Sequence, residues 1–210
     1  MDRLTLGPDR TFSTPIYAVH RDIERILLSE EEIRAGVERV ALQVTQDFAG
    51  EEFSVVSVLK GSCVFTADLI RRLPIPLSLS FVVVESYRDG TTPGEIEERL
   101  MPSSDEIRGR RVLLVDDILD SGRTLDYVGR ELLARGAKDV SSCVLLDKPA
   151  RRALSFEAEY RCYEVEDVFV VGYGLDYDGR YRNLPYVGKL RSQVFEADSH
   201  ADQPRGASRE

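Results

Sequence analysis

Short apolar runs alternate along this chain with stretches of helical period, and that alternation restricts the fold more than any other feature. Val112 to Val115 and Phe81 to Val84 offer no polar face to water. A strand of that kind must be covered on both sides, the condition met by a parallel sheet between helices. Ile33, Val37, Val40, Ala41 and Val44 mark an amphipathic helix over 30–48, with Ser29 as N-cap and Glu32 three residues on. A strand over Phe53–Leu59 precedes a helix after Ser62 that carries Phe65, Leu69 and Ile70 on one side. Strands over Leu77–Val84 and Arg111–Asp116, a helix over Thr124–Ala134, and strands over Val140–Leu146 and Asp167–Val171 complete the pattern. The expected class is α/β with a parallel sheet, in which ligands sit beyond the carboxyl ends of the strands.

Composition narrows the functions. With 28 Lys+Arg against 37 Asp+Glu, the net charge of −9 argues against a nucleic-acid groove or an anionic membrane surface, so neither partner is expected. No apolar run approaches the ~20 residues that span a bilayer, and the early acid in Met1-Asp2-Arg3 is unlike a secretory signal. Cys63, Cys143 and Cys162 lack C-x-x-C spacing and have only His20 and His200 beside them. Free thiols in a reducing, cytoplasmic setting are expected rather than zinc or disulfides. Residues 1–15 read as a mobile arm and Ser199–Glu210 as a disordered tail.

The chemistry concentrates in one segment, Val115-Asp116-Asp117-Ile118-Leu119-Asp120-Ser121-Gly122-Arg123-Thr124. A buried strand ends in two carboxylates, and a Ser-Gly-Arg-Thr turn then opens a helix. Gly122 permits a tight turn in which successive N–H groups converge on an anion, aided by the Ser121 and Thr124 hydroxyls and the helix dipole. The G-x-x-x-x-G-K-[ST] loop is absent, and the acids precede the turn rather than following a G-x-G-x-x-G motif. Carboxylates for sugar hydroxyls at one end and a phosphate turn at the other make the footprint of a ribose 5-phosphate.

This stretch resembles the phosphoribosyl pyrophosphate signature of type I phosphoribosyltransferases. Val58-Leu59-Lys60-Gly61-Ser62, Ser86-Tyr87, Leu145-Leu146-Asp147-Lys148-Pro149, Phe169 to Tyr177 and Tyr181 to Tyr186 are similar, in order, to motifs of the hypoxanthine-guanine branch. The resemblance covers roughly residues 20–192 and implies the type I fold, with a base-binding hood. It further implies that Asp116 and Asp117 meet the ribose hydroxyls and help hold Mg²⁺, with Asp176 a candidate for a second ion. Many relatives have Glu where this chain has the shorter Asp116. Asp120 aligns with the general base that takes a proton from the purine imidazole; a helix N-cap is the competing reading, and both could coexist.

The resemblance assigns pyrophosphate to the backbone at Lys60-Gly61, where a cis peptide is common, and to Arg182, whose fork suits paired phosphate oxygens. A glycine turn with solvated Lys60 and Arg182 is the plain alternative. Ser121, Gly122, Arg123 and Thr124 would hold the 5-phosphate. Lys148 would donate to the purine 6-oxo group and so reject adenine. Phe169 would stack on the base or else be ordinary core, while Val170 and Asp176 would read the other edge of the base. Ser86 and Tyr87 would cover the pyrophosphate from a lid over 86–109, a polar stretch expected to lack strong structure.

The expected organisation is one domain over 1–192, with a core over about 30–147 and a hood made of the N-terminal arm plus about 148–192. A polar tail over 193–210 follows. The resemblance implies phosphoribosyl transfer to hypoxanthine or guanine and a homo-oligomer, dimer or tetramer. A xanthine-preferring relative and a non-catalytic phosphoribosyl pyrophosphate sensor are the competing readings. Orotate and adenine enzymes share the signature loop but would not be expected to carry the later motifs.

Overall fold

The computed structural model describes residues 19–86 and 96–195. In chain order its elements are β1 (Ile23–Leu28), α1 (Glu30–Asp47), β2 (Phe53–Leu59), α2 (Cys63–Ile70), β3 (Leu77–Ser86), β4 (Ile96–Leu100) and α3 (Ser104–Ile107). Then come β5 (Arg111–Leu119), α4 (Arg123–Ala134), β6 (Asp139–Asp147), β7 (Tyr160–Glu164), β8 (Val170–Val171) and β9 (Val187–Leu190). Six strands form the main sheet in the order β4-β3-β2-β5-β6-β7. All neighbours are parallel except the antiparallel β3–β4 pair at one edge.

The apolar strands are buried on both faces, as their composition demands. Along β5, Leu113 and Val115 pack with α1 and α2 residues such as Val40 and Phe65, whereas Val112 and Leu114 pack with Val128 and Leu132 of α4. Helix α1 starts at the expected capping box. Ser29 accepts from Glu32 N, and the Glu32 carboxylate accepts from Ser29 N at 2.8 Å. The strand order reverses direction between β2 and β5, so the loops leaving their carboxyl ends open a crevice at the topological switch point.

A second, three-stranded antiparallel sheet, β1-β9-β8, forms the hood around a small cluster of Ile23, Val171, Tyr181, Tyr186 and Leu190. Several expected boundaries change. The predicted strand over Asp167–Val171 shrinks to Val170–Val171 and joins the hood rather than the parallel sheet, pairing with Lys189 and Gly188. Core and hood interleave, because β7 lies beyond residue 147 yet pairs with β6 in the main sheet.

The 86–109 stretch is not structureless. Its Ile-Glu-Glu-Arg-Leu run is β4, an edge strand, where charge is the normal protection of an open edge. A second capping box, Ser103 N donating to Glu106 Oε2 at 2.8 Å, starts α3 and sinks Ile107 into the core. The expected tail also begins later than 193, since Val194 and Phe195 pack against the hood cluster. Residues 1–18, 87–95 (Tyr87 among them) and 196–210 lie outside the described residues, and with them the whole of the expected arm, part of the expected lid and most of the expected tail.

Candidate active site at the sheet switch point

Strand β5 runs four residues past its pairing with β2, carrying the acids to the mouth of the crevice. Asp116, Asp117, Asp120, Ser121, Gly122 and Thr124 line one cleft of about 330 Å³, with Gly61 and Leu59 of the β2 loop opposite. Asp116 is buried, and its Oδ1 accepts from the Asp117 N–H at 2.9 Å. Burial, and then the neighbouring Asp117 carboxylate, push the Asp116 carboxyl well above the usual range. Burial also raises Asp117, against the opposing pull of its hydrogen bonds and the Arg182 guanidinium.

Glycine is required where the loops meet. A Cβ on Gly61 would stand 1.7 Å from Asp117 Oδ2, so only glycine lets the β2 loop lie on that carboxylate. The peptide between Leu59 and Lys60 is cis, and the Lys60 side chain is exposed. Gly174, at φ 101°, completes the stack, because its Cβ would come within 2.1 Å of the Gly61 carbonyl oxygen. No motif role was expected for Gly174; the Gly172-Tyr173-Gly174 spacing was its sequence signal.

Helix α4 is capped by Gly122 at φ 84°, so Asp120 is not its N-cap. Asp120 Oδ1 is buried and has no hydrogen-bond partner among the described residues, while Oδ2 lies 3.9 Å from Arg151 Nη1. Ser121 Oγ faces the N–H of Arg123, the exposed first residue of α4. Asp120 thus carries one buried, unpaired acceptor oxygen on a side chain that is 43% exposed at the cleft, beside a helix N-terminus whose N–H groups suit an anion.

Lys148 leaves the end of β6 and is 5% exposed. Its Nζ donates to the Val168 carbonyl at 2.6 Å and retains donors for another acceptor. Burial lowers its pKa, against the pull of Asp120 and Asp167, so Lys148 lies within electrostatic reach of Asp120. Phe169 is 43% exposed, with its ring edge-on to Tyr177 at 5.5 Å and tilted to Phe195 at 5.7 Å. The plain-core reading of Phe169 fails. Its neighbour Val170 is buried in β8.

Arg182 is held by the hood. Its Nη1 donates to the Gly174 carbonyl and its Nη2 pairs with Asp176 Oδ1 at 2.7 Å. Asp176 Oδ2 accepts from Gly179 N at 2.7 Å, so both Asp176 oxygens are engaged within the hood. Among the described residues no three acidic, His or Cys side chains converge as a metal cage. Asp116 and Asp117 are the available donor pair, and two adjacent carboxylates whose charge is poorly compensated suit a cation that completes its shell from substrate oxygens, as Mg²⁺ does. Ser86 ends β3 at the rim of the same sheet.

The phosphoribosyl transferase domain matches residues 25–178. A hypoxanthine-guanine phosphoribosyltransferase of Streptococcus thermophilus is 41% identical over 177 residues, 84% of this chain and 98% of the relative. The solved hypoxanthine phosphoribosyltransferase of Staphylococcus aureus superposes with a TM-score of 0.80 at 40% identity, covering 86% of this chain and 98% of that one. The Trypanosoma cruzi hypoxanthine phosphoribosyltransferase gives a TM-score of 0.81 at 36% identity, covering 87% and 99%. On these likenesses the chain belongs to the phosphoribosyltransferases of the hypoxanthine-guanine branch.

Proposed function

We propose that the chain transfers the 5-phosphoribosyl group of phosphoribosyl pyrophosphate to hypoxanthine or guanine, releasing pyrophosphate and forming IMP or GMP for purine salvage. The observation that carries this reading is Asp120, a cleft-lining carboxylate with one buried and unpartnered oxygen, beside the phosphate turn and within electrostatic reach of Lys148. Asp120 takes the proton from the purine imidazole while the other ring nitrogen attacks the anomeric carbon, a transfer typically worth about 10²–10⁴-fold. Ser121 to Thr124 hold the 5-phosphate, and Asp116 and Asp117 hold the ribose hydroxyls and Mg²⁺. The ion neutralises charge on the pyrophosphate when bound. Gly61 and Lys60 meet the pyrophosphate through backbone N–H groups, with Arg182 behind them.

Lys148 donates to the 6-oxo group, a contact that an adenine amino group would oppose, and the exposed Phe169 ring stacks on the base. A homo-oligomer and a cytoplasmic location belong to the same proposal. The free thiols of Cys63, Cys143 and Cys162 support the latter. The test is a spectrophotometric turnover assay with phosphoribosyl pyrophosphate and Mg²⁺, offering hypoxanthine, guanine, xanthine and adenine separately. Turnover of the first two with adenine inert, slowed at least ~10²-fold by Asp120→Asn, is the expected result. Tight binding of phosphoribosyl pyrophosphate without turnover of any purine overturns it.

A further inference from the structure

Asp147 ends β6 one residue before Lys148, and at 2% exposure it is among the most buried charged groups of the chain. A buried carboxylate is tolerated only when paired. Asp147 has two partners, Arg152 Nη2 on Oδ1 and Arg161 Nη1 on Oδ2 at 3.1 Å. The two arginines differ in what else they hold. Arg161 is half-exposed, whereas Arg152 is largely buried, and its Nη1 donates to the Asp120 carbonyl at 2.8 Å and the Leu119 carbonyl at 3.2 Å. The next two residues continue the contact, since the N–H groups of Ala153 and Leu154 donate to the Ser121 carbonyl at 3.1 and 3.3 Å.

The carbonyls of residues 120 and 121 are thus drawn to one side by one short segment, which also reaches the Leu119 carbonyl where that oxygen accepts from the Lys148 N–H at 2.9 Å. In a planar trans peptide the carbonyl and the following N–H point in opposite directions. Turning the carbonyls of 120 and 121 toward 152–154 turns the N–H groups of Ser121 and Gly122 the other way. Among the described residues, the Ser121, Gly122 and Thr124 N–H groups donate to no backbone carbonyl, and these residues line the cleft. Gly122 leaves little slack, because a Cβ there would stand 3.1 Å from Phe156 Cβ and 3.6 Å from Arg152 Cδ.

We propose that Arg152, anchored by the buried carboxylate of Asp147, is a positioning residue that fixes the Leu119–Gly122 peptides, aiming Asp120 and presenting the N–H groups that bind the substrate's phosphate. The inference rests on the activity proposed above and adds a residue to it that touches no substrate. Arginine is needed because a single planar fork reaches a carboxylate and two carbonyls at once; the lysine ammonium is a point donor. Arg161 supplies charge to the same carboxylate without touching the loop, which makes it the control.

The experiment compares wild type with Arg152→Met, Arg152→Lys and Arg161→Ala in steady-state kinetics, thermal melting and hydrogen–deuterium exchange of the 117–125 backbone. The clamp predicts that both Arg152 variants lose at least about tenfold in kcat/KM for phosphoribosyl pyrophosphate, because small misplacements of reacting groups carry costs of that order or larger. The KM for the purine should stay within about threefold in both. Exchange at 119–124 should rise in the Arg152 variants and remain at the wild-type level in Arg161→Ala. If Arg152→Met does not fold, Arg152→Lys, which keeps the charge beside Asp147, carries the test. Wild-type exchange and kinetics in a folded Arg152 variant, or equal effects from Arg161→Ala, overturn the clamp. A wild type inert with every purine refutes the activity instead, and the exchange comparison still decides the clamp.

Discussion

The two halves of the site are built in opposite ways. The carboxylates and the phosphate turn lie within nine residues of chain, 116 to 124, on a strand whose two faces are packed against α1, α2 and α4. The hood instead closes through long-range pairing, β1 with β9, around a cluster of only five buried residues. Phe169, the ring proposed to stack on the base, is left half in solvent. On the proposed function, the parallel sheet therefore holds the groups whose geometry must be accurate to a fraction of an ångström, while a thinner layer holds the groups assigned to base selection. Substitutions in the first region should damage turnover, and substitutions in the second should change base affinity.

The largest effect expected from that contrast is at Gly61. Gly61→Ala drives a methyl group into the Asp117 carboxylate, 1.7 Å from Oδ2. Either the loop or the carboxylate must move. Loss of about 10²-fold or more in kcat/KM for phosphoribosyl pyrophosphate is expected, with the melting temperature nearly unchanged because the loop lies at the cleft surface. Steady-state kinetics beside a melting curve checks both halves. A variant that turns over within twofold of wild type would show that the two loops are not in register during catalysis, and the contrast between rigid and adaptable halves would lose its main support.

A core truncation sharpens the same contrast from the other side. Leu113 is fully buried between the helices behind the acids. Leu113→Ala should cost about 2–5 kcal/mol of stability, read from urea unfolding, with activity following the folded fraction. Phe169→Ala should do the reverse. The ring is 43% exposed, so stability should hold, whereas a lost aromatic stack of about 0.5–1.5 kcal/mol raises the KM for hypoxanthine by roughly two- to twelve-fold. Equal loss of stability in both variants would mean that Phe169 is hood core after all.

The same division governs how far the sequence could be read. The contiguous elements were legible: the Ser29-Glu32 box and the five-residue apolar set of α1, the two-sided strand β5, and the acids and turn at its end all declare themselves within a dozen residues. β4 was not, because an edge strand is charged for the same reason that a loop is. β1 was not either, since Ile23 pairs with Leu190, and no local pattern encodes a partner that distant. Asp147 stood inside a quoted motif, with no role given to it, and Arg152 lay just beyond that motif. An acid closing an apolar strand was their signal, but the carbonyls they organise belong to residues 119–121 and could not be seen before folding. The tail was read as polar from its bulk composition, whereas Val194 and Phe195 follow the hood sheet and pack on it.

The smallest effect expected is one of stability, and it follows from the charge the rigid half must carry. Burial and Asp117 hold the Asp116 carboxyl above its ordinary value, so the folded state prefers the neutral acid. For a group raised on folding, the favourable contribution is complete below the unfolded value near 4 and is lost as pH climbs through the folded value. At pH 7.5, without Mg²⁺ or substrate, the charged pair therefore weakens the fold, and Arg182 offsets this only at Asp117. Asp116→Asn removes one of the two charges and keeps the size. The variant should melt about 2–4 °C higher than wild type at pH 7.5 and no higher at pH 4, since each kcal/mol moves a chain of this size by about that amount. The same variant should gain less stability than wild type from Mg²⁺ with phosphoribosyl pyrophosphate, because half of the donor pair is gone. A melting point below wild type at pH 7.5 would mean that Asp116 is already compensated in the free protein, and that the rigid half carries no electrostatic penalty for its chemistry.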